Sequence, residues 1–253
     1  MRSREILTLP TGESLITGVR VNRLISYSNR YTIKNVTIDS KNLYEAVIKE
    51  VATEVTNLKF EDISIRYTGT GANYNVGVIG QNNGRIHDVE FNRIKIEAGR
   101  NRYVGCIGAS KGDLENIKLT DIQASSTNNY QDLGGLVGYA SAYVRNISAS
   151  GTVAEDGTYS YRIHGTGNYV GGIAGVIAVT NTSGGYQLHV DTVKVISENS
   201  ETSSVSSIGI AVGAGNISSD IDKINAPAKE ERSTVSGSVL VKIGGGTSIG
   251  GLV

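Results

Sequence analysis

The chain has few residues that fix a fold by covalent links or rigid rings. Its 253 residues include one cysteine, Cys106, two prolines, one methionine and no tryptophan. A single cysteine excludes an internal disulfide and any metal site built from several cysteines. The formal net charge is zero, with 24 basic and 24 acidic residues, which gives no long-range attraction to nucleic acid or to an anionic membrane surface. We therefore expect a fold stabilised by packing alone, with no nucleic-acid partner.

Long apolar segments are absent as well. No run of about 18 apolar residues could cross a bilayer, so we expect no membrane insertion, and the N-terminal residues lack the apolar stretch of a secretory signal. The last residues, IGGLV, break off inside a motif that has already occurred five times. We therefore expect a fragment of a longer protein, adjoined by further domains of the same chain, with Met1 as an added start residue.

The residues that are abundant are those of β-structure. There are 27 isoleucines and 25 valines against 13 leucines, a usage that favours strands over helices and excludes an all-α fold. Glycine is also abundant, at 32 residues, which is nearly twice its average share of about 7%. With only two prolines, this is neither a collagen-like nor a disordered composition, so the glycines are expected to have structural roles.

A short glycine-rich word recurs along the chain. Its copies are VGVIGQ, VGCIGA, LGGLVG, VGGIAG, IGIAVG and the final IGGLV, and their first glycines are Gly77, Gly105, Gly134, Gly171, Gly209 and Gly250. The intervals of 28, 29, 37, 38 and 41 residues are too variable for propeller blades of fixed size. They are natural for stacked coils that carry loops of different length.

A second pattern follows the glycine word, with apolar residues at offsets 0, 3, 5, 8 and 10. One complete copy is Ile86, Val89, Phe91, Ile94 and Ile96. A spacing of two keeps side chains on one face of a strand, whereas a spacing of three requires a corner. The sequence therefore predicts an all-β fold, a parallel β-helix (β-solenoid) of about eight coils with loop insertions. Residues 1–65 would form irregular first coils and residues 74–253 the coils with glycine words.

An asparagine or aspartate precedes the offset-3 position in most copies. These residues tolerate a left-handed backbone and bond to nearby groups, as a corner requires. We expect them to stack as a ladder along the axis, with side-chain amides bonded from coil to coil. The predicted structural ladder is Asn35, Asn57, Asp88, Asn116 and Asn146, with Thr192 as the exception in the last copy.

Residues 42–55 support two interpretations equally. Asn42 and Glu45 form a capping box, and Leu43, Val47, Val51 and Val55 lie on one helical stripe. The same residues fit a strand of an early coil. The sequence leaves open a short helix near 42–55.

The words LGGLVG and VGGIAG, followed by an Asn-Ile corner, resemble the GLUG repeats of large bacterial surface and secreted proteins. Such repeats occur in the amino-terminal regions of immunoglobulin A1 peptidases of the zinc-metallopeptidase class, in adhesin-like proteins and in exotoxin-like chains. The resemblance covers residues 74–253. It implies a secreted or cell-surface location and a non-catalytic scaffold that contacts a host protein or glycan. The alternatives are a substrate-positioning region of a secreted metallopeptidase, or a structural or receptor-binding part of an exotoxin.

Motifs for catalysis are weak. Gly108–Gly112 matches the G-x-S-x-G elbow around Ser110, but a strand pattern follows it where that motif needs a helix. Arg93–Lys95 and His164-Gly165 are similar to words of polygalacturonases, but they stand in the wrong order and lack the paired aspartates. The three histidines are too far apart for a local metal signature. We expect no catalytic residue, no cofactor and no metal.

The longest tyrosine-rich insertion is the best candidate for recognition. Residues 154–169 exceed what a minimal coil can hold, so we expect them to project. Tyrosine and arginine are favoured at recognition surfaces because they combine contact area with hydrogen bonding. The predicted partner-binding residues are Tyr159, Tyr161, Arg162, His164 and Tyr169.

Overall fold

The computed structural model describes residues 19–27, 29–41, 46–69, 75–99, 102–127, 131–178, 187–198, 206–215, 234–242 and 247–250. Within these residues the regular structure consists of strands, and the stacked strands pair in parallel throughout. The chain winds into a spiral of strands and corners that buries its apolar side chains inside. The predicted all-β fold, a parallel β-solenoid, is confirmed.

The described residues form about five turns that carry the strands of a glycine word. Turn one consists of β5 (Asn75–Val76), β6 (Ile79–Asn82) and β7 (Arg85–Ala98), and turn two of β8 (Tyr103–Val104), β9 (Ile107–Ser110), β10 (Leu114–Thr120) and β11 (Gln123–Ser126). Turn three consists of β12 (Asp132–Gly134), β13 (Val137–Ala140), β14 (Val144–Ser150) and β15 (Arg162–Gly165). Turn four consists of β16 (Tyr169–Gly171), β17 (Ala174–Ile177) and β18 (Leu188–Glu198), and turn five of β19 (Ser206–Gly209), β20 (Val212–Gly215) and β21 (Thr234–Lys242). We refer to these as turns one to five.

Incomplete turns flank the five. Before turn one lie β1 (Val19–Ile25), β2 (Tyr31–Ser40), β3 (Ile48–Thr56) and β4 (Leu58–Tyr67), which have no glycine-word strand, and β22 (Thr247–Gly250) follows turn five. The expected eight coils are therefore about five turns with partial ones at either side. Over residues 1–65, where irregular first coils are expected, the described residues from 19 onward form parallel strands, and the pairing of β1 with β3 contains two register shifts.

Equivalent positions of successive turns pair directly. In the six-stranded sheet, the first residue of each glycine word pairs with the first residue of the next, in the order Val76, Val104, Leu133, Val170, Ile208 and Ile249. A parallel register of this kind stacks like side chains into columns. Phe60 and Phe91 form such a pair inside the core, with ring centroids 5.1 Å apart and nearly parallel planes.

The glycine words allow backbone to pack on backbone. A Cβ on Gly134 would lie 2.2 Å from the carbonyl oxygen of Val137 and 2.6 Å from Cα of Ala174 in the next turn. A Cβ on Gly171 would approach the oxygen of Ala174 to 2.0 Å. Since a Cβ atom cannot occupy such short distances, glycine is required there by the close approach of the backbone.

The corners have left-handed backbone and form two columns. One column contains Asn57, Asp88, Asn116, Asn146 and Gln187, and the other contains Asn35, Asp62, Arg93, Asp121 and Thr192. The φ angles at all these corners are positive, between 32° and 60°. The prediction of a single ladder is therefore wrong for Asn35. Strand pairing places Asn35 above Asp62, because Val36 pairs with Ile63.

Two steps of the first corner column have the expected side-chain bonds, but at the surface, whereas the amide of Asn57 donates to the backbone oxygen of Ser26 at 3.1 Å. The amide of Asn146 donates to Oδ1 of Asn116 at 2.6 Å, and the amide of Asn116 donates to Oδ1 of Asp88 at 3.1 Å. Asn116 and Asn146 are exposed. The ladder is thus a solvated row of corner residues, whose main role is to supply the left-handed backbone.

The helix considered for residues 42–55 is not formed in the described part of that segment, since residues 48–56 are strand β3 and residues 42–45 lie outside the described ones. Ile48, Val51 and Val55 are buried, with spacings of three and four that imitate a helical stripe. The spacing arises because β3 bends: its first half pairs with β6 and its second half with β7.

Replacing Asn116 by leucine should destabilise the fold by about 1–2 kcal/mol, the cost of a left-handed backbone for a residue with a Cβ and no local hydrogen bond. Asn116→Gly should cost less, because glycine adopts the φ of 53° freely. Lys118→Leu, on the exposed face of β10, should change stability by less than about 0.5 kcal/mol. Urea unfolding measures all three, and equal losses for the two leucine variants would contradict the corner assignment.

Candidate functional site

A hairpin replaces one corner of turn three. In turn two, Asp121 alone forms the corner between Thr120, the last residue of β10, and the buried Ile122 that precedes β11, whereas residues 151–160 occupy the same place in turn three. Backbone hydrogen bonds to the neighbouring turns hold both ends of this insertion. The amide of Gly151 donates to the carbonyl oxygen of Asp191 at 3.2 Å, and the amide of Arg162 donates to the carbonyl oxygen of Ile122 at 2.8 Å. The hairpin therefore leaves the stacking on either side of it intact.

The hairpin is closed by its own hydrogen bonds. Val153 and Tyr159 form an antiparallel bridge, and Gly157 takes a φ of 80° at the tip, as expected of a three-residue hairpin loop. Oδ1 of Asp156 accepts the amide of Thr158 at 2.8 Å, which lowers the pKa of that carboxyl. At the base, Ser160 donates to Oδ1 of Asp121 at 2.5 Å. Residues 152–158 are exposed, so the hairpin is a preformed projection.

The structure corrects the extent of the projecting segment. Only residues 152–160 project, because Arg162–Gly165 form strand β15 and Tyr169–Gly171 form strand β16. Backbone pairing explains the difference: β15 stacks between β11 and β18 and completes turn three. The segment predicted as one loop is thus a hairpin followed by two strands of the solenoid.

Tyr161 is a core residue and not a surface residue. It is 0% exposed, and its hydroxyl donates to the carbonyl oxygen of Gly172 at 2.7 Å. The ring fills a position that Ile94 and Ile122 hold in turns one and two, and a Cβ on Gly135 would lie 2.0 Å from its hydroxyl oxygen. The predicted role of Tyr161 in partner binding is therefore wrong, because the side chain points into the solenoid.

The other predicted residues divide between two faces. Tyr169 lies on the glycine-word sheet, next to Asp132 of the preceding turn. Arg162 is exposed and His164 is half-buried on the outer side of β15. Tyr159 packs at the hairpin base, with its ring 5.3 Å from Nζ of Lys194. The structure brings together Tyr159, Arg162 and His164, and adds Lys194, which pairs with Arg162 in the adjacent strand.

We call Tyr159, Arg162, His164 and Lys194 the β15 face. Sequence reasoning missed Lys194 because it follows Arg162 by one whole turn, and insertions give the turns different lengths. The signal that could have located it is the apolar pattern of Val193 and Val195, which matches that of Tyr161 and Ile163.

The motifs considered for catalysis lie in structural positions. Ser110 is 0% exposed; its hydroxyl donates to the oxygen of Gly112 at 2.6 Å and accepts the amide of Asn82 at 2.9 Å. Cys106 is buried, which raises the pKa of its thiol well above the usual value. Nδ1 of His87 lies 2.6 Å from Oδ2 of Asp88, and its Nε2 lies 3.1 Å from Oε1 of Glu54. Within the described ranges, no three His, Cys, Asp or Glu residues are grouped as a metal site.

A second polar cluster lies on the glycine-word face. Tyr103 and Tyr139 stack with ring centroids 5.0 Å apart, and the guanidinium of Arg102 lies 4.9 Å from the ring of Tyr103. Asp132 is half-buried between Tyr103 and Tyr169 in the same column. Burial raises the pKa of Asp132 to about 7, opposed by the charge of Arg102.

Comparison with known proteins gives no relatives. No family model, no curated protein and no solved structure matches the chain. The resemblance to GLUG repeats therefore stays a prediction from the glycine words. Among the described residues there is also no helix with the length and apolar character needed to span a membrane.

Substitutions at Tyr161 test its place in the core. Tyr161→Ala should cost about 3–5 kcal/mol, as expected for removal of a buried aromatic ring. Tyr161→Phe should cost about 1 kcal/mol, because the oxygen of Gly172 loses one of its two donors and keeps the amide of Gly135 at 3.1 Å. Tyr159→Ala should cost about 1 kcal/mol or less, since its contact with Lys194 is at the surface. Chemical denaturation with urea compares the three, and similar losses for the two alanine variants would argue against a buried Tyr161.

Asp132 should make the fold less stable as the pH rises. Its folded-state pKa of about 7 lies above the ordinary value of 3.8, so the folded state holds the proton more tightly and stability falls as the pH rises from 3.8 to about 7. Asp132→Asn should raise the melting temperature at pH 8 and have little effect at pH 4. Thermal melts of both proteins across this range measure the difference, and a difference that does not vary with pH would refute the assignment.

Proposed function

We propose that this chain is a non-catalytic, rigid β-solenoid scaffold of a secreted or cell-surface protein, which presents the hairpin of residues 152–160 and the adjoining β15 face to a host protein or glycan. The observation that carries the proposal is the hairpin itself. Within the part of the chain that the structure describes, it is an insertion at a corner that Asp121 alone occupies in the turn before, so it adds surface without serving the stacking.

The packing of the solenoid supports a scaffold role. Buried residues form one continuous core from Val36 to Val212, and ion pairs link successive turns across the outer surface, as between Arg85 and Glu115 at 2.5 Å. The described strands of each turn pair with strands of the neighbouring turns, so a site on one turn keeps a fixed position relative to the rest.

The hairpin has the properties of a recognition element. Its backbone bonds are satisfied internally, so binding a partner would cost little conformational entropy. Its tip exposes Val153, Glu155 and Thr158, and its base contributes Tyr159 beside Lys194. An apolar residue, a carboxylate and an aromatic ring on a fixed loop are a suitable set for contact with a protein or a sugar.

The test copies the corner of turn two into turn three. Replacing residues 151–160 by a single aspartate joins Ser150 to Tyr161 as Asp121 joins Thr120 to Ile122. We expect an unchanged circular dichroism spectrum and a melting temperature within a few degrees of the parent, because insertions lie outside the stacking that stabilises a solenoid. Binding to components of a host-glycan or host-protein array should be lost.

A second deletion, which also removes a strand of the solenoid, should have the opposite effect on folding. Removing residues 155–167 also removes β15, which breaks the pairing of β11 with β18 through turn three, so this variant should unfold or melt far lower. An aspartate variant that fails to fold would show that the hairpin serves the fold, and binding that survives its loss would exclude the hairpin as the recognition element.

A further inference from the structure

Two like charges lie side by side on the β15 face without an acidic partner. Arg162 pairs with Lys194 in the adjacent strand, on the outer side of the sheet. In parallel strands the two Cα atoms are about 4.8 Å apart, and like charges at opposed positions destabilise a sheet. Among the described residues, neither side chain forms an ion pair.

Several charges elsewhere on the solenoid are compensated between turns. Glu115 receives Arg85 from one side and Arg145 from the other. Arg93 holds Asp62 through two nitrogens, at 2.6 and 2.9 Å. In the column of Arg162 itself, Lys95 is compensated within its own strand, by Glu97 at 2.6 Å. Arg162 and Lys194 differ from these residues, because they pair with each other in adjacent turns and have the same charge.

Acidic residues near this pair are engaged at the corners. Asp121 accepts the hydroxyl of Ser160 at 2.5 Å, and Asp191 accepts the hydroxyl of Thr192 at 3.0 Å. Asp121 is a corner residue of turn two, and Asp191 directly precedes the corner residue Thr192 of turn four. The local positive charge of Arg162 and Lys194 is therefore available to a ligand.

The surroundings of the pair are polar. Gln123 precedes Arg162 in the column and is exposed, and Ser125 lies beside His164 in the same two strands. Tyr159 borders the pair at the hairpin base, against Lys194. Guanidinium and ammonium groups bind carboxylate and sulfate oxygens, while amide and hydroxyl side chains bond to sugar hydroxyls and an aromatic ring packs on a sugar ring.

We propose that the β15 face binds the carboxylate or sulfate groups of an acidic polysaccharide, with Arg162 and Lys194 as the anion-binding pair. The inference rests on the proposed function and names its ligand class. An acidic peptide fits less well: peptides commonly bind sheets by adding a strand to a free edge, and β15 is paired on both edges, with β11 and β18. A sugar chain needs no edge and can lie across the face.

The test uses the intact chain immobilised for interferometry, with polygalacturonate and dextran sulfate as the anionic polysaccharides. We expect binding to at least one of them, weakened by raising the salt from 50 to 500 mM because the contact is ionic and exposed. Dextran, which is neutral, and poly-glutamate, which is an acidic peptide, should bind at least ten times more weakly. Equal binding of dextran or of poly-glutamate would overturn the ligand class.

Variants locate the site. Arg162→Gln with Lys194→Gln should weaken binding of the anionic polysaccharide at least tenfold, with an unchanged circular dichroism spectrum, because both changes are at the surface. Lys118→Gln removes one exposed charge from another face and should change affinity less than twofold. Equal affinities for the double variant and Lys118→Gln would overturn the assignment. Failure of both anionic polymers, with array binding still dependent on the hairpin, would refute this inference and leave the proposed function standing.

Discussion

The structure depends on the parallel register between each turn and the next. Because equivalent residues pair directly, every inward apolar position becomes part of a column, as with Ile65, Ile96, Ala124, Ile163 and Val195. A shift of one residue would turn these columns toward solvent. The register therefore couples hydrogen bonding, core packing and the surface ion pairs, and each turn relies only on its neighbours.

The same constraint explains where the chain can vary. Corners are the points at which a strand leaves one face and enters the next, and a residue with left-handed backbone is sufficient to make one. An insertion at a corner is harmless when its two ends return to the ladder, as Gly151 and Arg162 do. The hairpin is thus added to a scaffold that does not need it. This separation of stacking from presentation underlies the functional proposal.

Core packing adapts to the insertion in one notable place. Tyr161, directly after the hairpin, occupies a position of isoleucine in the two preceding turns, and its ring reaches across to the glycine word. Gly135 and Gly172 stand where Val78 and Cys106 stand in earlier turns, so the larger ring is matched by the absence of side chains opposite it. The hydroxyl is satisfied by a backbone oxygen, as a buried phenol requires.

The sequence by itself determined the class of fold, because glycine words and an apolar pattern with spacings of two and three permit strands and corners but not long helices. It also located corner residues such as Asn57 and Asn116. Register was decided only in the tertiary structure, since loops of unequal length hide which residues stack. Hence Asn35 lies in the other corner column, Tyr161 lies in the core, and Arg162 pairs with Lys194 of the next turn. Strand β3 shows the same limit, because a bend inside a strand produces the spacing of a helix.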